Sequence, residues 1–390
     1  MIDIAAVRAD TPAVARLNHL NNAGAALSPT PVLEATIEHL RAEAELGGYE
    51  AHDAHLAALD DFYAGTAQLL GAHSHEIAFT GGASESWWRA FSAVPLAAGD
   101  RVLVGRSEFV ASALGLMQAM QRGVDVVLVP DDPTGMVDLE AMERLLDDRV
   151  KLVCLTHVPM TSSGINPAAE VGALAHSVGA MFLLDACQSV GQMPVDVDAL
   201  ACDFLTATGR KWLRGPRGTG LLYARSTVLD RLNDPVFTDG RAIDWDREMG
   251  YRVEPGAQRF EIGERSFATK RGLGVAVRYA LDVGLDAIAE RARALAHELR
   301  LLLTDVPTVT LLDSGTERCA IVPFVVEGIA TDEAVAALRA QHINIAGPPA
   351  RASRHNITSH GVESVLRAAP HYYNESAELL GLQRALTSLR

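Results

Sequence analysis

Residues 206–218 read TATGRKWLRGPRG, and Lys211 lies in this stretch, 26 residues after Asp185. Asp185 ends an apolar run, residues 181–184, that is typical of a buried strand. A lysine amine can hold an aldehyde cofactor as a Schiff base, and a carboxylate at a strand end can keep a ring nitrogen protonated. Taken alone, a lysine in such a basic loop would usually be a surface lysine. The pair nevertheless indicates chemistry on a bound cofactor.

Short apolar runs alternate with helical patterns on both sides of this stretch. Strands are predicted at residues 76–80, 101–105, 125–129, 152–156, 181–185 and 203–206, and helices at 84–94, 111–121, 139–146 and 167–178. Such alternation indicates an α/β fold with a mostly parallel sheet covered on both faces. Ligands then bind beyond the carboxyl ends of the strands, which is where Asp185 falls.

The pattern changes after about residue 260. A long helix at 285–303 leads to strands at 309–312 and 320–326, a helix at 331–341 and a final helix, which is an α+β arrangement. We therefore predict an N-terminal arm (1–20), a large cofactor domain (21–262) and a small C-terminal domain (263–390). The Pro-, Gly- and Arg-rich segment 347–355 is predicted to be a loop.

The Asp185 strand and the Lys211 segment resemble those of the class V aminotransferase group of fold-type-I pyridoxal 5′-phosphate (PLP) enzymes. The resemblance runs from about Leu20 to the C-terminus. It implies PLP as cofactor, bound covalently by Lys211 with Asp185 on the pyridine nitrogen. It also implies a homodimer in which two subunits share each active site. The sequence around Lys211 is most similar to those of the ergothioneine-pathway carbon–sulfur lyases and of isopenicillin N epimerase-like proteins.

A glycine turn at residues 81–86, GGASES, follows a predicted strand and opens a helix. Glycine lets the backbone approach an anion, and the first amides of a helix can hold a phosphate. The turn resembles the phosphate loop of the family, which implies cofactor contacts from Gly82, Ala83 and Ser84. Taken alone, it is also explained as a turn capped by Ser84.

Two residues of the Lys211 stretch complete the implied phosphate site. Thr208 stands where the family has a serine, and Arg210 replaces the common histidine with a permanent cation.

Three further residues are implied around the cofactor ring. Phe109 matches the ring that stacks on the pyridine; it can stack but not exchange protons, and an ordinary core position is the alternative. Thr161 is implied at the 3′-oxygen, with Ser162 and Ser163 as alternatives. Gln188 matches a glutamine that reaches the same oxygen.

Arg367 matches the C-terminal arginine that binds the substrate α-carboxylate bidentately. An edge-strand arginine facing solvent is the alternative. Asn22 matches a turn near the substrate in the family, so we expect it to contact the substrate.

Two departures separate this chain from other members of the family, and the first concerns the persulfide-forming desulfurases. Residues 345–356 contain no cysteine, although those enzymes need one ahead of the carboxylate arginine. Residues 260–265 also lack the threonine that many relatives present to the partner's phosphate. Desulfurase chemistry through an enzyme persulfide is therefore not expected.

The resemblance leads us to expect β-elimination from an S-substituted L-cysteine or its sulfoxide, in thiol or natural-product biosynthesis. Decarboxylation with oxidative deamination, epimerisation and transamination remain alternatives, because the sequence does not fix which bond stands perpendicular to the ring. A PLP-fold protein without catalysis, acting as a binding module, is the alternative from another class.

The amino-acid composition limits the classes of partner that the protein is expected to bind. The net charge of −15, from 34 basic and 49 acidic residues, repels nucleic acids and anionic lipids, and no apolar run is long enough to span a membrane. The N-terminus lacks a secretory signal, so a cytoplasmic location is expected. The four cysteines show neither disulfide nor metal-type spacing, so no metal site is predicted.

Overall fold

The computed structural model describes residues 2–235, 239–245 and 248–389. Its strands are β1 (Asn18–His19), β2 (Ile77–Thr80), β3 (Arg101–Gly105), β4 (Asp125–Val129), β5 (Val150–Thr156), β6 (Met181–Asp185), β7 (Phe204–Thr208), β8 (Gly220–Ala224), β9 (Ile243–Trp245), β10 (Tyr251–Val253), β11 (Val309–Leu311), β12 (Val322–Val326), β13 (Ile343–Asn344) and β14 (Leu366–Ala368). Its α-helices are α1 (Ile4–Ala9), α2 (Thr30–Leu46), α3 (Gly48–Ala54), α4 (Leu56–Leu70), α5 (Ala83–Ala93), α6 (Val110–Gln121), α7 (Leu139–Leu145), α8 (Ala168–Ser177), α9 (Phe267–Val283), α10 (Leu285–Thr304), α11 (Thr331–Ala340), α12 (Arg354–Thr358) and α13 (Ser376–Ser388). Short 3₁₀ turns cover Pro12–Ala15, Ser74–Glu76, Ser226–Arg231, Ala257–Phe260 and Ala350–Ala352.

A seven-stranded sheet in the order β2-β8-β7-β6-β5-β3-β4 forms the centre of the fold. Strands β4, β3, β5, β6 and β7 run parallel, whereas β8 is antiparallel to both of its neighbours. The side chains of β6, β7 and β8 are buried along their whole length, because apolar clusters pack on both faces of the sheet. The predicted α/β class and mostly parallel sheet are confirmed.

The predicted strands and helices agree with the observed ones to within two residues at each end. Strand β8 was not predicted, because it follows β7 through a glycine-rich loop without the intervening helix that marks the other strands. The segment predicted as a loop at 347–355 contains a 3₁₀ turn and the start of α12. Burial of Asn356 and Ile357 anchors α12, and this tertiary contact leaves no periodic pattern in the sequence.

A second, three-stranded antiparallel sheet, β11-β12-β14, lies in the C-terminal part of the chain. Helix α10 packs against α13 and this sheet, whereas α9 packs against α2 and α4. The N-terminal residues join the C-terminal part, since β1 pairs with β13 and Arg8 donates to the carbonyl oxygen of Tyr373 at 2.8 Å. The packing partners of the helices thus change between α9 and α10; the domain division at residue 262 stays a prediction.

The parallel strands bring chemically active residues to one edge. Thr156 ends β5, Asp185 ends β6 and Thr208 ends β7, and the three strands are adjacent. Thr156 and Asp185 are direct partners in the β5–β6 register. The carboxyl edge of the sheet is therefore where the candidate site is built.

Candidate active site

A cavity of about 560 Å³ lies at this carboxyl edge. Its walls come from the turn after β2, the turn after β3, the ends of β5, β6 and β7, the segment around residue 23, and β14. Ten of the residues predicted from the sequence line it: Gly82, Ala83, Ser84, Phe109, Asp185, Gln188, Thr208, Arg210, Lys211 and Arg367. Asn22 and Thr161 are not among the lining residues. The fold thus collects most of the predicted site from segments far apart in sequence.

Lys211 and Asp185 both line this cavity, and the part that they form is called its floor here. Burial lowers the pKa of the Lys211 amine, and the neighbouring Cys187 and Asp185 oppose that shift. Burial raises the pKa of the Asp185 carboxyl, while Lys211 and the backbone N–H of Cys187, at 2.9 Å from Asp185 Oδ1, oppose it. Lys211 therefore offsets part of the cost of burying the Asp185 charge, and the amine is closer to its reactive neutral form than a surface lysine.

The start of α5 offers an anion site on one wall. Gly82 precedes the helix, and a Cβ on the neighbouring Gly220 would lie 2.7 Å from the Gly82 Cα, so β8 packs closely on this turn. Ala83 and Ser84 begin the helix and line the cavity, where the first amides and the helix dipole favour an anion. Glu85 also lines the cavity; one of its oxygens is paired with Arg89 at 2.8 Å, and the other accepts from the backbone N–H of Gly81 at 2.8 Å.

Two arginines and a hydroxyl extend this anion site. The Arg210 guanidinium donates to the carbonyl oxygen of Gly24, a neutral partner. Burial and the nearby charge of Arg217, which also lines the cavity, lower the pKa of Arg210. The Thr208 hydroxyl donates to the carbonyl oxygen of Thr219 at 3.2 Å. This wall therefore carries cations that lack an acidic partner among the described residues.

Phe109 and Gln188 both line the cavity. Phe109 precedes α6 and is 37% exposed, so it is not a core residue. Gln188 is fixed at both ends of its amide: Nε2 donates to the carbonyl oxygen of Ala23 at 3.1 Å, and Oε1 accepts from Trp212 Nε1 at 2.8 Å. Gln188 is thus held rigidly, whereas the Phe109 ring is open to a ligand.

Arg367 is a buried cation without an acidic partner in the described part of the chain. Its Nη1 donates to the carbonyl oxygen of Met160 at 2.7 Å, and its Nη2 donates to Asn21 Oδ1 at 3.4 Å. Its Nε is buried and makes no hydrogen bond within the described residues. Burial, and then the charge of Arg210, lowers the pKa of Arg367 to about 10. Such a site can accept a carboxylate, because the anion would supply the missing counter-charge.

Asn22 and Thr161, which are not among the lining residues, bond to other parts of the protein. Asn22 donates to the carbonyl oxygen of Ala369 at 2.7 Å and accepts from the Tyr373 hydroxyl at 2.5 Å, so it ties the N-terminal turn to the C-terminal segment. The Thr161 hydroxyl is buried against Asn356 Oδ1. The alternatives bond elsewhere as well, since Ser162 and Ser163 both contact Ser314.

Several residues of the site were missed at the sequence level. Ser107, Thr156 and Cys187 line the cavity, and Asn356 on α12 donates to Ser107 Oγ at 3.4 Å. Cys187 lies two residues after Asp185, which is a signal that could have placed it there. Nothing in the sequence indicates that α12 reaches Ser107. No group of metal-ligating side chains occurs in the described residues, nor any helix long and apolar enough to cross a membrane.

Known proteins resemble this chain over most of its length. The sequence profile of the family described as "Aminotransferase class-V" matches residues 18–382. A probable cysteine desulfurase of Methanothermobacter thermautotrophicus is 29% identical over 393 residues, which cover 98% of this chain and 97% of that protein. A cysteine desulfurase of Yersinia pestis is 31% identical over 343 residues, or 82% of this chain and 81% of that protein. The apo structure of a cysteine desulfurase from Thermococcus onnurineus superimposes with a TM-score of 0.91 at 26% identity, over 99% of this chain and 98% of that one.

Proposed function

Because the chain belongs to the class V aminotransferase family of PLP-dependent enzymes, we propose that it is a carbon–sulfur lyase acting on an S-substituted L-cysteine or its sulfoxide by β-elimination. Loss of the Cα proton and of the sulfur group, followed by hydrolysis with one water, gives a thiol (or a sulfenate), pyruvate and ammonia. We place the reaction in thiol or natural-product biosynthesis in the cytoplasm.

The residues present fit the cofactor. The cavity offers a buried amine at Lys211, a carboxyl at Asp185 and an anion site at the start of α5. Cations of the anion site lack acidic partners among the described residues, which suits a phosphate. When bound, PLP supplies an aldehyde for the amine and a ring that accepts electrons from Cα.

Each residue has a distinct part in the proposed reaction. Lys211 holds the cofactor at rest and, once free, takes the Cα proton of the substrate. Asp185 keeps a positive charge on the ring nitrogen. Arg367 binds the substrate α-carboxylate and so orients Cα. Phe109 offers an apolar face and no proton, which leaves Lys211 as the base.

One observation carries the choice of elimination over desulfuration. The segment 345–364, which reaches the cavity wall through Asn356 and Ser107, contains no cysteine. Of the four cysteines, Cys187 alone is among the residues described as lining the cavity. Burial and the charge of Asp185 raise the pKa of its thiol to about 12, so it stays protonated and is a poor nucleophile at neutral pH. We therefore assign no sulfur-carrying role to the enzyme.

We also propose that the enzyme is a homodimer. Exposed apolar side chains lie at the start of α6 and along one side of it, directly beside the cavity: Phe109, Val110, Leu114, Met117 and Met120. A second copy of the chain would cover this patch. Sedimentation of the wild type and of Met117→Lys tests this proposal, because a charge in the patch should shift the dimer towards monomer.

The decisive experiment compares the organic products. Purified holoenzyme is incubated with an S-alkyl-L-cysteine sulfoxide and with L-cysteine, and pyruvate, alanine and ammonia are quantified. Elimination predicts pyruvate and ammonia in equal amounts from the S-substituted substrate. Alanine from L-cysteine, with a persulfide on Cys187, would instead identify a desulfurase. Carbon dioxide or peroxide would indicate decarboxylation with oxidative deamination.

A further inference from the structure

Glu108 carries a buried carboxyl beside the cavity, between Ser107 and Phe109, which both line it. Its Oε1 accepts a hydrogen bond from Thr156 Oγ1 at 3.0 Å. Its Oε2 is buried and makes no hydrogen bond in the described part of the chain, although the Ser112 hydroxyl lies close enough to influence the carboxyl. No ion pair to Glu108 is formed by the described residues. This is an uncommon environment for a carboxylate, because a buried charge is ordinarily paired.

A second carboxyl lies close to Glu108. Thr156, which donates to Glu108, is the register partner of Asp185 on the adjacent strand. Two carboxylates in one buried space repel each other, and the single amine of Lys211 compensates only one of them. One of the two carboxyls is then better accommodated as the neutral acid, and the one without a cation is Glu108.

We propose that Glu108 is a positioning residue that is protonated in the working enzyme, links the ends of β3 and β5 through Thr156, and leaves the negative charge of the cavity floor to Asp185. The role of Asp185 in this inference rests on the proposed function. The protonation of Glu108 does not, since it follows from the packing of the protein alone.

Burial and the charge of Asp185 shift the pKa of the Glu108 carboxyl in the same direction. Burial, and then the charge of Asp185, raises the pKa of the Glu108 carboxyl to about 8. The Cys154 thiol on β5 also faces Glu108, and burial together with the Glu108 charge raises the pKa of that thiol. Neither neighbour supplies a positive charge to Glu108, and the charge of Asp185 opposes its ionisation.

The remaining element packed against Glu108 is the segment at the start of α12. Ser353 donates from its hydroxyl to the Glu108 carbonyl oxygen at 3.1 Å. Arg354 and His355 are exposed, and no contact between either of them and the Glu108 carboxyl occurs in the described structure. This segment therefore supplies no cation to the carboxyl.

Glu76 provides a matched control. It is also a buried glutamate, yet its carboxylate accepts from the backbone N–H of Ser226 at 2.7 Å and of His73 at 3.1 Å. These bonds, acting against burial, lower the pKa of Glu76. Above pH 5, Glu76 should therefore contribute a constant stabilisation, whereas the contribution of Glu108 should become less favourable as the pH rises.

The first test measures Tm of the apoprotein from about pH 5 to about pH 8 in wild type, Glu108→Gln and Glu76→Gln. Between the ordinary carboxyl pKa of 4.5 and about 8, unfolded Glu108 loses its proton while folded Glu108 keeps it, so wild-type stability falls as pH rises. Glu108→Gln lacks this loss, and its Tm should rise relative to wild type. Glu76→Gln should lie below wild type by a nearly constant amount over the same range, because Glu76 is ionised in both the folded and the unfolded state there and the stabilisation from its lowered pKa is already complete. A difference in Tm between Glu108→Gln and wild type that does not grow with pH would overturn the proposal.

Infrared spectroscopy of the apoprotein supplies a second test, which wild type and Asp185→Asn already decide if the Gln variant does not fold. A protonated carboxylic C=O band should be present near neutral pH in wild type, persist in Asp185→Asn and vanish in Glu108→Gln. Its absence from wild type, or its loss in Asp185→Asn alone, would contradict the assignment.

The pH profile of the loaded enzyme tests the positioning role. Wild-type turnover should fall above about pH 8 as a second negative charge appears, and Glu108→Gln should lose this alkaline limb while keeping turnover at neutral pH. An unchanged limb in Glu108→Gln would remove Glu108 from the account. Inactivity of both proteins on every substrate would count against the proposed function, and the apoprotein measurements would still decide the protonation of Glu108.

Discussion

Two buried arginines, in two regions of the molecule, differ in whether the protein supplies hydrogen-bond partners for their guanidinium groups. Arg214, 1% exposed, packs between the N-terminal segment and the C-terminal tyrosines; its guanidinium donates to Leu27 O at 2.8 Å, to the Tyr372 hydroxyl at 2.7 Å and to Thr11 Oγ1 at 2.5 Å. Arg367, 3% exposed, faces the cavity with one buried nitrogen that bonds to no group of the described chain. The guanidinium donors of Arg214 thus find partners within the protein, whereas one donor of Arg367 finds none among the described residues.

This difference separates structural charge from functional charge. Burial of an arginine is costly unless its donors are used. At Arg214 the ring of Tyr373, 4.5 Å from the guanidinium carbon, adds to the hydrogen bonds and offsets the positive φ of 61° at this residue. At Arg367 this cost is not offset by the described residues, because its buried Nε makes no hydrogen bond among them. Polar groups left unsatisfied around one cavity are best explained as partners of ligands that bind there.

The largest expected effect comes from removing the cavity amine. Lys211→Ala should abolish covalent attachment of PLP and lower turnover by at least about 10³-fold, because no second lysine lines the cavity in the described structure. Borohydride reduction followed by peptide mass spectrometry checks the attachment. A phosphopyridoxyl-lysine recovered from the variant would show that another lysine holds the cofactor.

Asp185→Asn should come next, with turnover reduced roughly 10²- to 10³-fold. The amide cannot keep a proton on the ring nitrogen, so the electron-accepting capacity of the bound cofactor is lost. Cofactor content and circular dichroism should stay near the wild-type values. Near wild-type turnover would remove Asp185 from the cofactor site.

The two arginines can be compared directly by Arg367→Leu and Arg214→Leu. Arg367→Leu should raise KM in line with a loss of roughly 2 to 5 kcal/mol of substrate binding, while the unfolding free energy stays level or increases. Arg214→Leu should lower the unfolding free energy by about 3 kcal/mol, with little change in KM of the protein that remains folded. Urea denaturation and steady-state kinetics measure both. The opposite pattern would reverse the assignment of the two residues.

The smallest effect is expected at the cavity cysteine. Cys187→Ala should keep the pyruvate-forming activity and cost roughly 1 kcal/mol of stability, because its protonated thiol takes no part in elimination. Mass spectrometry of the wild type after turnover provides the check. A persulfide on Cys187, required for turnover, would contradict the lyase proposal.

Much of the fold was predictable because its strands and helices leave local patterns of apolar residues in the sequence. Periodic apolar runs located the strands that carry Asp185 and Thr208, and their parallel order forces both to one edge. The antiparallel β8 escaped prediction because no helix precedes it. Which helices belong with the large sheet and which pack with the small one depends on their packing partners. The sequence does not reveal those partners.

The candidate site was predictable only where a motif carries it. Arg210 and Lys211 belong to one short motif, and both line the cavity. Asn22 and Thr161 were chosen by position in the chain, whereas their bonding is set by Tyr373 and Asn356, from the far end of the sequence. The unpaired carboxyl of Glu108 was invisible for the same reason, since solvent exclusion and missing partners are properties of the folded molecule.

The most direct test of this account measures how strongly the enzyme discriminates for a carboxylate. The ratio of kcat/KM for an S-substituted L-cysteine to that for the matching amine without the α-carboxylate is determined in wild type and in Arg367→Leu. The account predicts a large ratio in wild type, about 30-fold or more, and a ratio near one in the variant, because the unpaired guanidinium is there for the carboxylate. An equal ratio in both proteins would contradict it and assign the carboxylate to another cation.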